Sequence, residues 1–324
     1  MTPALVGHDG PMAALLNAAR GDRLHHGWLL AGPRGIGKAG FARAAAMRLL
    51  AEAAGPAVPG DGLDVPAEHP IRRLIEADAH PDYAILTCLE KDGGVARNIS
   101  VDQVRGLQRL IHSAPSLSTR RIVIIDSADD MERSAANALL KNLEEPPADM
   151  LFLLVSHAPA RLLPTIRSRC RMLRFDPLSD AAMRTAVRTA RPDLPEAEVE
   201  ALVRAGEGSP GRALGYAGLD IAELEAALQA IAADGDPDNR RRLSLAKALA
   251  TKAARPRYEA FLERAPAFIA AAARTRRGAA LGVALDRWDA ARHLANGAII
   301  LSLEPGAVIF DLASHVAALA AEPR

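Results

Sequence analysis

The stretch AGPRGIGKAG, residues 31–40, decides the fold. Gly32, Gly37 and Lys38 follow the phosphate-loop pattern G-x-x-x-x-G-K-[S/T] up to its last position. An apolar run precedes the stretch and helix-forming alanines follow it, which is the order in which backbone N–H groups cradle a phosphate. The last position is Ala39, so the hydroxyl that would bind Mg²⁺ is missing. A plain glycine turn between a strand and a helix is the competing interpretation.

The composition is that of a large, mainly helical protein without a charge bias. The chain has 324 residues, 49% of them hydrophobic and 24% charged, which suggests two or three globular domains. Ala and Leu carry most of the apolar content and aromatic residues make up only 3%, a balance that favours helix. The 40 Lys and Arg residues match 39 Asp and Glu residues, so any contact with DNA must be local.

We expect a cytoplasmic protein. Cys88 and Cys170 are too few for a disulfide framework and suit a reducing compartment. The first residues lack a signal-peptide pattern, and no uninterrupted apolar run approaches the ~18 residues of a membrane span.

Alternating strand and helix patterns predict a doubly wound parallel α/β domain over residues 1–176. The runs that suit buried strands of such a sheet are at 28–32, 82–89, 122–125 and 150–156. After residue 176 the strand signal disappears. Short helical patterns predict a small helical lid over 177–216, and amphipathic stripes predict an all-α domain over 217–324.

Two polar residues at strand ends are candidates for a nucleotide site. Asp126 follows the buried run 122–125, at the sheet edge where ligands of open α/β sheets bind. Ser127 stands where a Glu would orient the attacking water, so a second catalytic part is missing and we expect little ATP hydrolysis. Ser156 ends the next strand and is placed to contact a phosphate. The alternatives are that Asp126 only caps a helix and that Ser156 only bonds to the backbone.

Arginines mark two further positions. The segment TIRSRCRMLRF, residues 165–175, is either a solvated basic face or the source of an arginine that reaches a neighbouring subunit's phosphate. Arg212 lies in the first turn of a short helix after Ser209, where the helix dipole disfavours a cation, which hints at an anion nearby. For metals, His69 and His80 have no accompanying cysteine pair, so we predict no metal site.

Taken together, these motifs resemble the bacterial DNA polymerase III clamp-loader subunits of the AAA+ superfamily, most of all the delta-prime branch. The resemblance spans about residues 5–215, and the remainder fits the family's helical collar more loosely. The segments that carry it are GWLLAGPRGIGKAG (27–40), SVDQVRGL (100–107), RRIVIIDSADDMERSAANALLKNLEEPP (120–147), TIRSRC (165–170) and GSPGRAL (208–214).

The resemblance implies an AAA+ domain, a lid and a collar that assembles a five-subunit ring. Arg169 matches the arginine of the Ser-Arg-Cys motif, which acts in trans on the ATP site of an adjacent gamma or tau subunit. Arg212 matches the lid's sensor arginine and Ser156 the polar strand-end sensor, while residues 6–8 resemble the segment near adenine. The implied degenerate nucleotide site consists of Gly32, Gly35, Gly37, Lys38, Asp126, Ser156 and Arg212.

Departures from the motor subunits refine this expectation. Ala39 and Ser127 together are the pattern expected of delta-prime, whereas Lys38 is retained, so residual ATP or ADP binding stays open. Many family members carry a four-cysteine zinc module after the phosphate-loop helix, but residues 51–81 contain no cysteine, so we predict no zinc. The implied partners are the delta and gamma/tau subunits and, through the complex, the sliding clamp and primed DNA, with no membrane.

The leading hypothesis is a clamp-loader subunit that assists clamp loading in replication without polymerase activity and with little or no ATPase of its own. One alternative is a gamma- or tau-like motor that hydrolyses ATP. The other is a DNA-binding adaptor that uses the arginines of residues 240–242 and 274–277.

Overall fold

The computed structural model describes residues 6–21, 24–91, 94–95 and 98–320, and it divides into two compact units. The first contains the residues up to Ala190 together with Glu207–Gly211, and the second contains Arg191–Gly206 and the residues from Arg212 onward. The first five residues of the predicted α/β domain lie outside the described part. The division into domains at residues 176 and 216 stays a prediction.

The first unit is built on a five-stranded parallel sheet. Its strands are β1 (Gly27–Ala31), β2 (Tyr83–Leu86), β3 (Arg121–Ile125), β4 (Met150–Ser156) and β5 (Arg171–Arg174). They are ordered β2-β3-β4-β1-β5 across the sheet, so β1 lies between the two strands that come last in the chain. A separate two-stranded antiparallel pair joins Glu90–Lys91 to Gly94–Val95.

Helices cover both faces of this sheet. They are α1 (Asp9–Arg20), α2 (Lys38–Ala54), α3 (Pro70–Glu76), α4 (Val101–Gly106), α5 (Gln108–His112), α6 (Arg133–Glu144) and α7 (Pro164–Ser168), and α8 (Asp180–Ala190) follows them in the same unit. Every residue of β1, β3 and β4 is buried, because successive side chains enter opposite apolar cores. Leu30 and Ile124 join the core that contains α2, while Leu29 and Val123 join the one that contains α6. The prediction of a doubly wound α/β domain is therefore confirmed.

Helices alone form the second unit within the described residues. They are α9 (Glu196–Gly206), most of α10 (Pro210–Gly215), α11 (Ile221–Asp234), α12 (Arg240–Leu249), α13 (Arg255–Arg274), α14 (Gly278–Ile300) and α15 (Pro305–Ala317). The stripe that predicted α11 is buried at all four positions, Ile221, Leu224, Leu228 and Ile231. None of the described helices meets the length and apolarity needed to cross a membrane.

The segment between α2 and α3 is more ordered than its prolines and glycines suggest. The sequence predicts an exposed loop here, but Leu63 and Val65 are buried in the core beside α2. Arg48 of α2, which is only 2% exposed, holds the segment by donating hydrogen bonds to backbone carbonyls. The predicted loop is present, since residues 55–69 form no helix or strand and most of them are exposed, but its buried anchor points were not predicted, because the sequence does not reveal that Arg48 points inward.

Candidate functional site

The loop between β1 and α2 has the geometry that its glycines predict. Gly35 and Gly37 have φ angles of +76° and +105°, in the region that favours glycine. A Cβ atom on Gly32 would lie 2.3 Å from the carbonyl oxygen of Phe175, so this position has no room for a side chain. Helix α2 begins directly at Lys38, which directs its first N–H groups towards the loop.

Lys38 is folded back onto its own loop. Its Nζ donates hydrogen bonds to the carbonyl oxygens of Gly32 and Pro33, both at 2.6 Å. The residue is 2% exposed, and burial lowers the pKa of its ammonium to about 8, although Asp129 and Asp126 oppose that shift. The site therefore contains a buried cation that is hydrogen-bonded to carbonyl oxygens of the loop itself.

Residues 208–211, the GSPG part of the GSPGRAL segment, dock on the same loop. The hydroxyl of Ser209, which is buried, donates to the carbonyl of Arg34 at 2.8 Å. The N–H of Gly211 donates to the carbonyl of Gly35 at 2.8 Å, and a Cβ on Gly211 would come within 2.8 Å of that residue. Arg212 is the next residue, in α10. Because α10 has only six residues, Arg212 lies two residues from its start and three from its end, so the argument from the helix dipole is weak.

His8 packs against the loop from the N-terminal segment. Its Nε2 lies 2.7 Å from the carbonyl oxygen of Ile36, and its ring contacts Phe175 edge-on with centroids 4.9 Å apart. Burial lowers the pKa of the imidazole, which favours the neutral form. The structure thus places the last residue of the segment 6–8 on the loop backbone.

The end of β3 lacks the carboxylate that would orient water. Asp126 follows the strand, and its N–H donates to the carbonyl of Leu86 at 2.9 Å. Ser127 has a φ of +64°, and its Oγ lies 3.1 Å from Nε2 of His157. The position after Asp126 therefore carries a hydroxyl paired with an imidazole.

Asp129 is a residue that sequence reasoning missed. Its position three residues after Asp126 gives no sign that its carboxylate turns back to the end of β4. There Oδ1 accepts from the hydroxyl of Ser156 at 2.7 Å, and Oδ2 accepts from the N–H groups of His157 and Ala158. Ser156 is fully buried in this contact. No spacing rule in the sequence signals it, because the left-handed turn at Ser127 creates it.

Arg169 lies where strands β1 and β5 begin, at the opposite end of β1 from the glycine loop. A Cβ on Gly27, the first residue of β1, would lie 3.2 Å from the carbonyl oxygen of Arg169. The glycine loop follows Ala31 at the far end of the same strand, about 13 Å away at ~3.3 Å per residue. The Nη2 atom of Arg169 pairs with Oε1 of Glu144 at 2.9 Å, and its side chain is 35% exposed.

Comparison with known proteins agrees with these features. The family model described as DNA polymerase III, delta subunit, matches residues 7–179, which is more than half of the chain. This chain belongs to that family.

Two curated relatives are delta-prime subunits of DNA polymerase III. The protein from Pseudomonas aeruginosa is 40% identical over 202 residues, which cover 62% of this chain and 58% of that one. The protein from Bacillus subtilis is 35% identical over 173 residues, which cover 53% and 48%. The chain thus spans about half to three fifths of the length of these relatives.

More distant matches include other subunit types. The tau subunit of Bacillus subtilis is 29% identical over 235 residues, covering 69% of this chain and 39% of that one. A solved gamma subunit-related protein from Thermotoga maritima is 18% identical, covers 93% of this chain and 97% of its own, and superposes with a TM-score of 0.46. The structure itself shows a parallel α/β sheet followed by a helical C-terminal region, as predicted.

The basic patch that suggested a DNA-binding adaptor in this delta-family chain is paired with acids. Each arginine of residues 240–242 lies within 3.2 Å of a carboxylate oxygen, and the pairs are Arg240 with Asp238, Arg241 with Asp234 and Arg242 with Asp236. Asp236 is 1% exposed and accepts from the backbone N–H groups at the start of α12 as well. Local acids therefore neutralise the positive potential that would attract the phosphate backbone of DNA.

The two histidines considered as metal ligands bond to the backbone. Nδ1 of His69 accepts from the N–H of Ile71 and caps α3, and Nε2 lies 3.2 Å from the carbonyl of Pro56. Nδ1 of His80 accepts from the N–H of Asp82 at 3.1 Å. Both contacts are structural. The absence of zinc stays a prediction.

Proposed function

We propose that this chain is the delta-prime subunit of a bacterial DNA polymerase III clamp loader, with little or no ATPase of its own. In this proposal Arg169 acts in trans on the ATP site of an adjacent gamma or tau subunit. The observation that carries it is that Arg169 lies at the start of β1, whereas the phosphate loop follows the end of β1. That loop region has lost two catalytic residues, since Ala39 and Ser127 stand in their positions. Family membership and the delta-prime relatives support the assignment.

The contacts around the loop argue against hydrolysis in this chain. Asp126 could serve as a ligand for Mg²⁺, but Ala39 has no hydroxyl to bind the ion. Ser127 cannot accept a proton as a carboxylate does, and the carboxylate of Asp129 is already occupied by three donors. A motor role therefore lacks both the metal ligand and the group that orients water.

A phosphate, unlike Mg²⁺, fits the residues present. The N–H groups of residues 35–38 and the ammonium of Lys38 would hold phosphate oxygens, so we propose residual binding of ATP or ADP without a cofactor requirement. We further propose a cytoplasmic complex with delta and gamma/tau in a five-membered ring held by residues 217–324. Through that ring the chain would act on the sliding clamp and primed DNA.

Arg169 cannot serve its own loop, because the length of β1 separates them. Its partly exposed guanidinium is instead available to a neighbouring subunit that docks on this edge. Arginines supplied in this way accelerate phosphoryl transfer by ~10³–10⁵ where they have been measured. Only the site next to this chain would lose its arginine, so the loss seen in a whole complex is smaller.

The test is a clamp loader reconstituted from this chain with the delta and gamma/tau subunits of the same organism. We expect Arg169→Ala to assemble normally but to slow ATP hydrolysis and clamp loading on primed DNA by about tenfold. Arg174→Ala, a change of an exposed arginine in the same segment, is the matched control and should retain wild-type rates. Equal turnover with Arg169→Ala and wild type would refute the trans role.

The isolated chain tests whether this protein is itself an ATP-hydrolysing motor. The isolated wild type and a Lys38→Ala variant should hydrolyse ATP at the same negligible rate. A clear rate that depends on Lys38 would instead favour a gamma- or tau-like motor.

A further inference from the structure

We propose that Glu144 is a positioning residue for Arg169, holding its guanidinium at the edge of the subunit in the orientation that a neighbouring phosphate requires. This inference rests on the proposed trans role of Arg169. It assigns a task to a carboxylate of the segment 120–147, to which the family resemblance gave no role.

The side chain of Arg169 is held at two points. Its Nη2 pairs with Oε1 of Glu144 at 2.9 Å, and its Nη1 donates to the carbonyl of Thr165 at 3.1 Å. A guanidinium has five N–H donors, so three remain for phosphate oxygens while both contacts persist. Docking of a neighbour therefore does not require Glu144 to let go.

The backbone beneath Arg169 is fixed as well. Arg169 is the C-cap residue that directly follows α7, and its N–H donates to the carbonyl of Ile166 at 3.2 Å. Pro164 starts that helix with a fixed φ angle, and Ile166 is fully buried in the core under α6. With its backbone rigid, the remaining freedom of Arg169 is in its side-chain torsions, which the contact with Glu144 restricts.

Glu144 occupies an unfavourable place for an acid. It is the last residue of α6, where the carbonyl ends of the helix favour a cation. The contact with Arg169 places positive charge at that helix end and offsets the repulsion. An acid at this position therefore makes physical sense as the partner of Arg169.

The pair is too exposed to be needed for folding. The side chains of Arg169 and Glu144 are 35% and 46% exposed, and surface ion pairs of this kind add little to stability. Truncating Glu144 should leave the subunit folded. Its effect can then be read in the activity of the complex.

The experiment uses the reconstituted clamp loader and measures kcat and KM for ATP with clamp and primed DNA present. We expect Glu144→Ala to lower kcat about tenfold at unchanged KM, because a misplaced reacting group costs rate rather than binding. Glu144→Gln retains an acceptor oxygen and should restore most of the rate. Glu145→Ala, which removes the neighbouring exposed acid, should behave as wild type.

A double variant tests whether Glu144 works through Arg169. In an Arg169→Ala background, Glu144→Ala should cause no further loss, whereas two additive losses would overturn the inference. A faster Glu144→Ala complex would also overturn it, because Glu144 would then restrain Arg169. If Arg169→Ala slows the complex but Glu144→Ala matches Glu145→Ala, this inference fails alone. If Arg169→Ala has no effect, the proposed function fails first.

Discussion

Replacing Arg48 with methionine should lower the free energy of unfolding of the first unit more than replacing Arg43, the other arginine of α2. Arg48 is 2% exposed, and its Nε pairs with Oε1 of Glu52 at 2.7 Å. Its two terminal nitrogens donate to four backbone carbonyls of the following segment, those of Val58, Pro59, Gly60 and Asp64. Methionine fills much of the same volume but satisfies none of these acceptors.

The magnitude follows from what is left behind. Removing one partner of a buried ion pair costs about 3–5 kcal/mol, chiefly because the other charge is stranded. Here Glu52 is not stranded, since its side chain is 27% exposed and also pairs with Arg20 at 3.0 Å. The remaining cost comes from the four carbonyls at about 1 kcal/mol each, reduced where water reaches them. We therefore expect the free energy of unfolding to fall by about 3 kcal/mol.

Urea unfolding followed by tryptophan fluorescence measures this. Trp28 is fully buried in the first unit, so a Trp288→Phe background confines the signal to that unit. Arg43→Met, a change of an exposed arginine on the same helix, is the control and should shift stability by less than about 0.5 kcal/mol. Equal midpoints for Arg48→Met and Arg43→Met would show that the buried guanidinium does not hold the segment.

Two further predictions concern the loop. Gly32→Ala forces a Cβ to within 2.3 Å of the Phe175 carbonyl and should destabilise the first unit by at least ~3 kcal/mol in urea unfolding, whereas Gly40→Ala meets nothing within 4 Å and should be neutral or stabilising. The pKa of Lys38 is lowered from 10.5 to about 8, so between those pH values the unfolded chain binds more protons. Wild-type stability should therefore rise relative to Lys38→Met from pH 8 to pH 10, and a falling difference would contradict the lowered pKa.

Three strands, β1, β3 and β4, could be predicted because they are buried on both faces, whereas the mostly exposed β5 was not predicted. The runs 122–125 and 150–156 are continuous apolar segments, and the structure adds only Arg121 to the first and gives the second the same bounds, Met150–Ser156. A parallel sheet covered on both sides demands such runs, so local sequence carries the signal. The glycine loop is readable for the same reason, since strand, turn and helix are adjacent in the chain.

Contacts between distant residues could not be predicted. Asp129 meets Ser156 across 27 positions, and Arg169 meets Glu144 across 25. Each depends on the end of one element lying beside the start of another, which spacing does not encode. In the same way, Arg48 and Arg43 read as equivalent helix residues, although only Arg48 points into the protein.

The loop region contains glycines that packing requires and a lysine that packing does not require. The carbonyl of Phe175 leaves no room for a side chain at Gly32, and the close approach of Gly35 leaves none at Gly211. Neither glycine is therefore evidence for a nucleotide. Lys38 is different, because burial opposes its charge strongly enough to lower its pKa to about 8. An uncharged side chain of similar length would fill that space without this penalty. Of the loop residues, Lys38 is therefore the one whose chemistry argues most directly for a phosphate.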